Sequence, residues 1–378
     1  MQWHSIHVHY HEANLDRLIV EGVRPFTERI AGVDGVAAAY VVRHWLRGPH
    51  LRLNVRATQR AFRETVLTAA EQTLGSFLAA HPSAGGIDAS SSADTHRRLA
   101  ELEREEGPLV PWQPDNTLLI APYDDRLTAV RTVAAAEHRA EFLSATTPLL
   151  FDMTERVLNG GTRRLAIAFD LMIATAHRMS GGGVITGLSS FRSHAEAFLC
   201  RWPEGQGRRA AWDRYHTRHA QALSQRVHLV TRCLDQPMPG VPEIPFVAPW
   251  VTLLGTSQIH GLGLIRAGQM TMPTPAEDGQ NATDGLRLVD VSPYHRVVWA
   301  NPDWQRIMDS PWLSAWRLAL NYLYLQTTRL GVGPADRFLL CHLAANAIED
   351  AYGISAFDIA RGRQARERLP ETMAEGVV

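Results

Sequence analysis

Strict apolar-polar alternation in short stretches limits the fold of this chain more tightly than any other feature. Across residues 3–10, Ile6, Val8 and Tyr10 point to one side of a strand, and His7 and His9 point to the other. Across residues 50–56, Leu51, Leu53 and Val55 form one face and His50, Arg52, Asn54 and Arg56 the other. Residues 38–45 lead into that second stretch through Leu46-Arg47-Gly48-Pro49, which predicts a hairpin. Such strands need apolar cover on one face and expose hydrogen-bond donors on the other.

Residues 117–123 read as a fourth strand, and residues 14–30 carry Leu15, Leu18, Ile19, Val23 and Phe26 at helical spacing. Residues 127–157, 211–233, 312–330 and 334–352 also predict helices, whereas 246–264 and 286–298 read as strands or mixed structure. The elements are interleaved irregularly, without repeating β-α units. The expected class is therefore α+β, with a mixed, mainly antiparallel sheet packed with helices, over a single domain spanning 1–378 or two lobes. Small and polar residues predict mobile loops near 83–95, 202–209 and 272–285, with a frayed tail at 362–378.

With 378 residues, 45% of them hydrophobic, the chain can bury a core without a disulfide or metal staple. Its 38 basic and 39 acidic residues leave a formal charge of -1, so no global field recruits nucleic acid or a membrane surface. All the basic residues are arginines. Without lysine, Schiff-base chemistry, a pyridoxal phosphate anchor, a phosphate-loop lysine and a Ser-Lys pair are excluded. Cys200, Cys233 and Cys341 are far apart and form no C-x-x-C pair, which suits buried thiols in a reducing compartment. The opening lacks the charged leader and apolar run of a signal peptide, so a cytoplasmic location is expected.

Several motifs have simpler readings than a functional one. His216 and His219 lie one helical turn apart but have no third ligand, and His7 and His9 lack a companion carboxylate or thiol, so no metal is expected. Ser180-Gly181-Gly182-Gly183 does not match a dinucleotide fingerprint and reads as a turn, as does Ser292-Pro293-Tyr294.

The hairpin V-V-R-H-W-L-R-G-P-H-L-R-L-N-V at 41–55 resembles the G-P-H-L-R-L-R signature of lantibiotic dehydratase C-terminal, or thiopeptide-type biosynthesis, domains. Three further stretches agree in order: W-H-S-I-H-V-H-Y-H at 3–11, A-P-Y-D-D-R at 121–126 and D-R-F-L-L-C-H-L-A-A-N at 336–346. The pattern departs from the glutamate-eliminating members. Arg52 keeps the first signature arginine, but Asn54 replaces the second. Tyr123 is followed by Asp124, Asp125 and Arg126 with no E-x-x-R-Y-G-G, and Ala344 and Ala347 replace a histidine and an arginine near His342 and Asn346. Expelling glutamate requires deprotonating an α-carbon and stabilising a carboxylate, so these losses deplete that chemistry.

Free-standing members with this profile are similar to the thiopeptide pyridine synthases. The resemblance implies a cofactor-free enzyme that joins two dehydroalanines of a leader-bearing precursor peptide by a formal aza-[4+2] cycloaddition, with other pathway enzymes as possible partners. A glutamate-elimination subunit and a non-catalytic leader-binding module are the alternatives. The expected pocket lies over the polar sheet face, with His50, Arg52, Ser314 and Tyr322 as catalytic residues. Arg43, Asn54, Arg317, Asn321, Tyr324 and His342 are expected to bind substrate. Ser314, Arg317, Asn321 and Tyr324 fall at three- or four-residue steps and so share one helix stripe.

Overall fold

The alternating segments pair into one antiparallel sheet of order β2-β3-β1-β4, built from β1 (Gln2–His9), β2 (Val36–His44), β3 (His50–Ala57) and β4 (Thr117–Ala121). The structure is a computed structural model that describes residues 1–103, 105, 107–201, 205–236, 243–272 and 287–362. In register, His9 and His44 both sit opposite His50, His7 opposite Arg52, and Ser5 opposite Asn54. Cross-strand partners share a face. One face therefore carries His7, His9, His44, His50, Arg52 and Asn54. Ile6, Val8, Val41, Leu51, Leu53 and Val55 form the other and are at most 2% exposed.

Helical segments cover the apolar face, as the alternation demands. Phe62 stacks on His4 at 4.0 Å between ring centroids, and Phe77 meets Tyr10 at 6.2 Å. Leu18, Ile19, Val23 and Phe26, leading into α1 (Arg24–Ile30), are at most 1% exposed. Each such fully buried side chain contributes about 1.5–3 kcal/mol.

Gly48, in the β2-β3 turn, has φ +102, and an added Cβ there would lie 2.8 Å from His11 Nε2 and 3.3 Å from the Trp112 ring. Gly48→Ala thus combines a left-handed backbone with a clash. It is expected to lower stability by about 1–3 kcal/mol, read as a shift in the urea midpoint. An unmoved midpoint would contradict this account of the turn.

The chain divides into two compact units, residues 1–164 with 328–331, and 165–327 with the residues from 332 on. The first unit holds the sheet, α2 (Ala89–Glu103), α3 (Val133–Ala145) and α4 (Thr147–Leu158). Within it, buried Arg329 donates to the Val41 carbonyl at 2.8 Å and to the hydroxyls of Thr146 and Thr147 at 2.8 and 2.5 Å.

The second unit is built from α5 (Arg164–Met179) after its first residue, α6 (Gly183–Arg201), α7 (Gly205–Asp235), α8 (Val247–Arg266), α9 (Pro293–Trp299), α10 (Pro311–Arg329) as far as Thr327, α11 (Pro334–Tyr352) and α12 (Ala356–Ala360). Buried Phe198, Leu199 and Trp212 pack with Phe338 and Leu339 where α6, α7 and α11 meet.

Four segments expected as strands, turns or loops are helical. Residues 247–266 are helical, not extended, because Val247, Trp250, Leu254 and Gly261 recur at helical steps beneath a β-branched composition, and Pro249 falls in the first turn where its missing N–H costs nothing. Residues 293–299 are also helical: the Ser292 hydroxyl accepts from the His295 N–H and Pro293 opens the first turn, so Ser-Pro-Tyr is a helix start. Residues 89–95 of the first expected loop belong to α2, whose start is capped by Asp88 accepting the Ser91 N–H at 2.7 Å. Residues 205–209 begin α7, while 202–204, 273–285 and 363–378 of the expected loops and tail lie outside the described residues.

Candidate active site

Arg52 is the hub of the polar sheet face. Its Nε donates to His50 Nε2 at 3.3 Å, its Nη2 to His44 Nδ1 at 3.2 Å and its Nη1 to Asp124 at 2.9 Å. A guanidinium has only donors, so both imidazole nitrogens must accept. His50 then carries its proton on Nδ1, which donates to the Gly48 carbonyl at 2.8 Å. His44 Nδ1 also accepts the Leu46 N–H at 3.1 Å, leaving its proton on Nε2. That buried Nε2 has no hydrogen-bond partner among the described residues. Arg52 thereby fixes both imidazoles as neutral tautomers.

Aromatic rings line the same face. His7 and His9 lie 4.8 and 4.5 Å from the His50 ring, and Trp3 stacks on Tyr123 at 5.5 Å. The Tyr40 hydroxyl donates to that of Tyr123 at 3.1 Å. Asn54 is on this face and 4% exposed. Against the effect of burial, the Arg126 N–H and then the Arg126 and Arg52 guanidiniums hold the Asp124 carboxyl below the usual range.

Burial lowers His7 to about 3, His9 to about 4 and His50 to about 2; next in effect are Arg52 on His7 and His11 on His9, both lowering, and the Gly48 hydrogen bond on His50, opposing. His44 is pushed down too, by burial and then by Arg52. These rings stay neutral in the folded chain, whereas in the unfolded chain they take up protons below about pH 6.5. The unfolded state therefore binds more protons between about pH 6.5 and the folded-state values. Stability falls as pH drops through that window, by roughly 1.4 kcal/mol per unit for each ring held neutral. The urea midpoint is expected to be flat near neutrality and to fall steeply between about pH 6.5 and 4. Equal midpoints at about pH 7 and pH 5 would contradict this.

The other expected residues lie in different surroundings. Arg43 pairs with Leu51 in register, so it leaves the sheet from the face opposite His50 and Arg52. There its Nη2 meets Asp16 at 3.1 Å and its Nε donates to the Arg329 carbonyl at 2.9 Å, while Arg164 also pairs with Asp16. Ser314, Arg317, Asn321, Tyr322 and Tyr324 all belong to α10 in the second unit, with Tyr322 only 4% exposed, Asn321 exposed, and Ser314 and Arg317 half-buried.

Tyr324 places its hydroxyl 2.6 Å from His194 Nδ1 and 3.4 Å from the Cys341 thiol, with Arg337 over its ring. Burial lowers His194 to about 4, with Arg337 next, and burial raises the Tyr324 phenol, so a neutral imidazole faces an un-ionised hydroxyl. His342, 2% exposed on α11, has its Nε2 2.9 Å from the Asn346 amide nitrogen and 3.1 Å from Asp213.

Three residues central to these arrangements were not among those expected. His44 was legible in principle, because the hairpin register pairs it with His50. Asp124 follows β4 in irregular chain and His194 sits within a helix, so neither carries a periodic signal. Among the described residues, no group of three or more His, Cys, Asp or Glu could hold a metal ion, and no helix is long and apolar enough to cross a membrane.

Comparison with known proteins places this geometry. The family profile described as "Lantibiotic biosynthesis dehydratase C-term" matches residues 3–348. The chain belongs to that family. The stretches that resembled its signatures form β1, the β2-β3 hairpin, the end of β4 with the turn after it, and α11. Among solved structures, "Pyridine synthase, TbtD, from thiomuracin biosynthesis" is similar with TM-score 0.76 and 35% identity, over 94% of this chain and 100% of that one. The "Crystal structure of TsrL" is similar with TM-score 0.70 and 20% identity, over 96% of this chain and 99% of that one, and supports the fold. A search of curated proteins finds no match.

Proposed function

We propose that this lantibiotic dehydratase C-terminal family member is a pyridine synthase that acts in the cytoplasm on a leader-bearing, dehydrated precursor peptide. The likeness to the pyridine synthase TbtD, 35% identical over 94% of the chain, carries the reading. The depleted elimination motif, with Asn54 and Ala347 in place of arginines, agrees with it. Two carbon–carbon bonds between two dehydroalanine-bearing segments close a six-membered ring that contains an amide nitrogen. The carbonyl oxygen then leaves as water and the leader as its carboxamide, giving the pyridine of a macrocycle. These bond changes balance without an external oxidant or reductant.

The main demand is to hold two distant alkenes together, for which orientation alone supplies effective molarities of about 10⁵ M or more. The second demand is stabilising the iminol-like form of a backbone amide. Of the five guanidinium donors of Arg52, the partners described above take three. The remaining two are assigned to the amide oxygen, with His50 holding the guanidinium plane and Asn54 beside it. Tyr322 and Ser314 are assigned to protonating the leaving groups, and Arg317, Asn321, Tyr324 and His342 to shaping the substrate-binding surfaces, whereas Arg43, on the other sheet face, is held by Asp16 and is not assigned to the substrate.

Incubation with a dehydrated, leader-bearing precursor tests the reading by mass spectrometry. A macrocycle lighter by one water and by the leader is expected. A glutamylated precursor is expected to come through unchanged, and new dehydroalanines from it would instead identify an elimination enzyme.

A further inference from the structure

The sheet ends at β4, which among the described residues pairs with β1 alone. The direction of its backbone groups follows from the neighbouring ladder. The Tyr10 N–H, one residue past β1, donates to the Pro49 carbonyl at 3.3 Å on the β3 side. Backbone groups alternate along a strand, so even-numbered residues of β1 bond to β3 and odd-numbered ones to β4. His9, His7 and Ser5 stand opposite Thr117, Leu119 and Ala121, which therefore carry the ladder between β1 and β4. The N–H and C=O of Leu118 and Ile120 point away from the sheet, and no hydrogen bond reaches them from the described residues.

The side chains of these two residues are as poorly covered as their backbone. Ile120 lies on the apolar face opposite Ile6, and Leu118 on the same face opposite Val8. Ile6 is 2% exposed but Ile120 is 64% exposed, so the helical cover stops short of the edge. Edges closed to association usually carry a charge or a proline within the strand, whereas residues 117–121, T-L-L-I-A, have neither. Such an edge is a template for one more strand.

The length of β4 and its place in the sheet select the occupant. Five residues, ended by Pro122, span about 17 Å, too little for the roughly 800 Å² per partner that a stable dimer buries. A short extended peptide needs no more than that. On the polar face Leu119 stands beside His7, itself opposite Arg52, and Tyr123 and Asp124 follow β4 directly. A strand added to β4 would lie three spacings, roughly 14 Å, from β3, so the chain leaving it reaches Arg52 within a few residues.

We propose that an extended, alternately apolar stretch of the peptide substrate adds to β4 as a fifth strand, bonded to the backbone of Leu118 and Ile120 and packed on their side chains. The assignment rests on the reading of the protein as a peptide-cyclising enzyme. It fixes one part of the substrate while the rest folds over the polar face.

Hydrogen exchange of the full chain, followed by mass spectrometry, tests it with acetyl-Val-Thr-Val-Thr-Val-amide at about 1 mM. The peptide is expected to slow exchange of the segment 117–121 by about threefold or more and to leave 50–57 unaffected, and its fully N-methylated counterpart, which has no backbone donors, to do neither. Ile120→Pro removes an N–H that bonds to nothing in the folded chain and keeps the ladder to β1. That variant is expected to abolish the slowing and to raise KM for the dehydrated precursor by about tenfold, with kcat within about twofold. Should it fail to fold, Ile120→Lys, at the same exposed position, carries the same expectations.

No slowing, equal slowing by the N-methylated peptide, or an unchanged KM in the edge variant would overturn the proposal. A dimer in sedimentation that Ile120→Lys dissociates would put a second copy of the chain on the edge and overturn it too. Exchange needs no turnover, so slowing that the edge variant abolishes supports the strand site even in a protein that forms no ring. Conversely, ring formation at wild-type KM in that variant would refute the strand site and leave the pyridine synthase reading standing.

Discussion

Arg52→Ala is expected to lower kcat for ring closure by about 10²–10³-fold, the usual loss when one preorganised donor to a developing charge is removed. The geometry predicts more than the loss of one charge. Arg52 is the shared donor to His50 and His44, so its removal also takes one hydrogen bond from each ring, leaving His50 held by the Gly48 carbonyl and His44 by the Leu46 N–H alone. KM is expected to change little, because the interaction is strongest as the amide oxygen gains charge. Arg52→Lys is not expected to rescue, since a single ammonium cannot reach two imidazoles and Asp124 in the planar fork that a guanidinium offers. The variant should still fold, because Asp124, 40% exposed, can regain water. Steady-state kinetics on the dehydrated precursor provides the check, and a kcat within about threefold of wild type would remove Arg52 from the reaction.

The largest stability effect is expected at Asp16. Its carboxylate is 2% exposed and held between Arg43 and Arg164. Asp16→Ala strands two guanidiniums, of which Arg43 is 17% exposed and already pushed down by burial. Removing one partner from a buried ion pair costs about 3–5 kcal/mol, a large part of the stability of a typical domain. Urea denaturation is expected to show a loss of that size, and replacing Arg43 as well should restore part of it, because the two sites share one interaction. A loss below about 1 kcal/mol would mean that the cluster is solvated.

The sheet was legible in the sequence because its signal is local: Leu51, Leu53 and Val55 alternate with His50, Arg52 and Asn54, and a strand of period two leaves no other arrangement. The opposite placement of Arg43 follows from the same rule once the hairpin register is known, since it pairs with Leu51 and not with Arg52. Residues 247–266 were harder. Their valines, threonines and isoleucines favour strands by propensity, and the helical spacing of Val247, Trp250 and Leu254 emerges only against their neighbours in the fold. Asp16, Asp124 and His194 were illegible for a different reason. Each is defined by a partner or partners far along the chain, as when His194 meets Tyr324 across 130 residues, and such pairings leave no periodic trace. The stripe on α10 shows both sides: its helical phase was readable, whereas the differing exposure of Asn321 and Tyr322 was not.

The identity of the released leader's C-terminus tests the central claim most directly. Ring closure of the kind described transfers the nitrogen of one reacting residue to the departing leader, so high-resolution mass spectrometry should find a carboxamide. A carboxylic acid, about 1 Da heavier, would indicate simple hydrolysis, and a leader still attached to a dehydrated core would indicate binding without catalysis; either result would contradict the account.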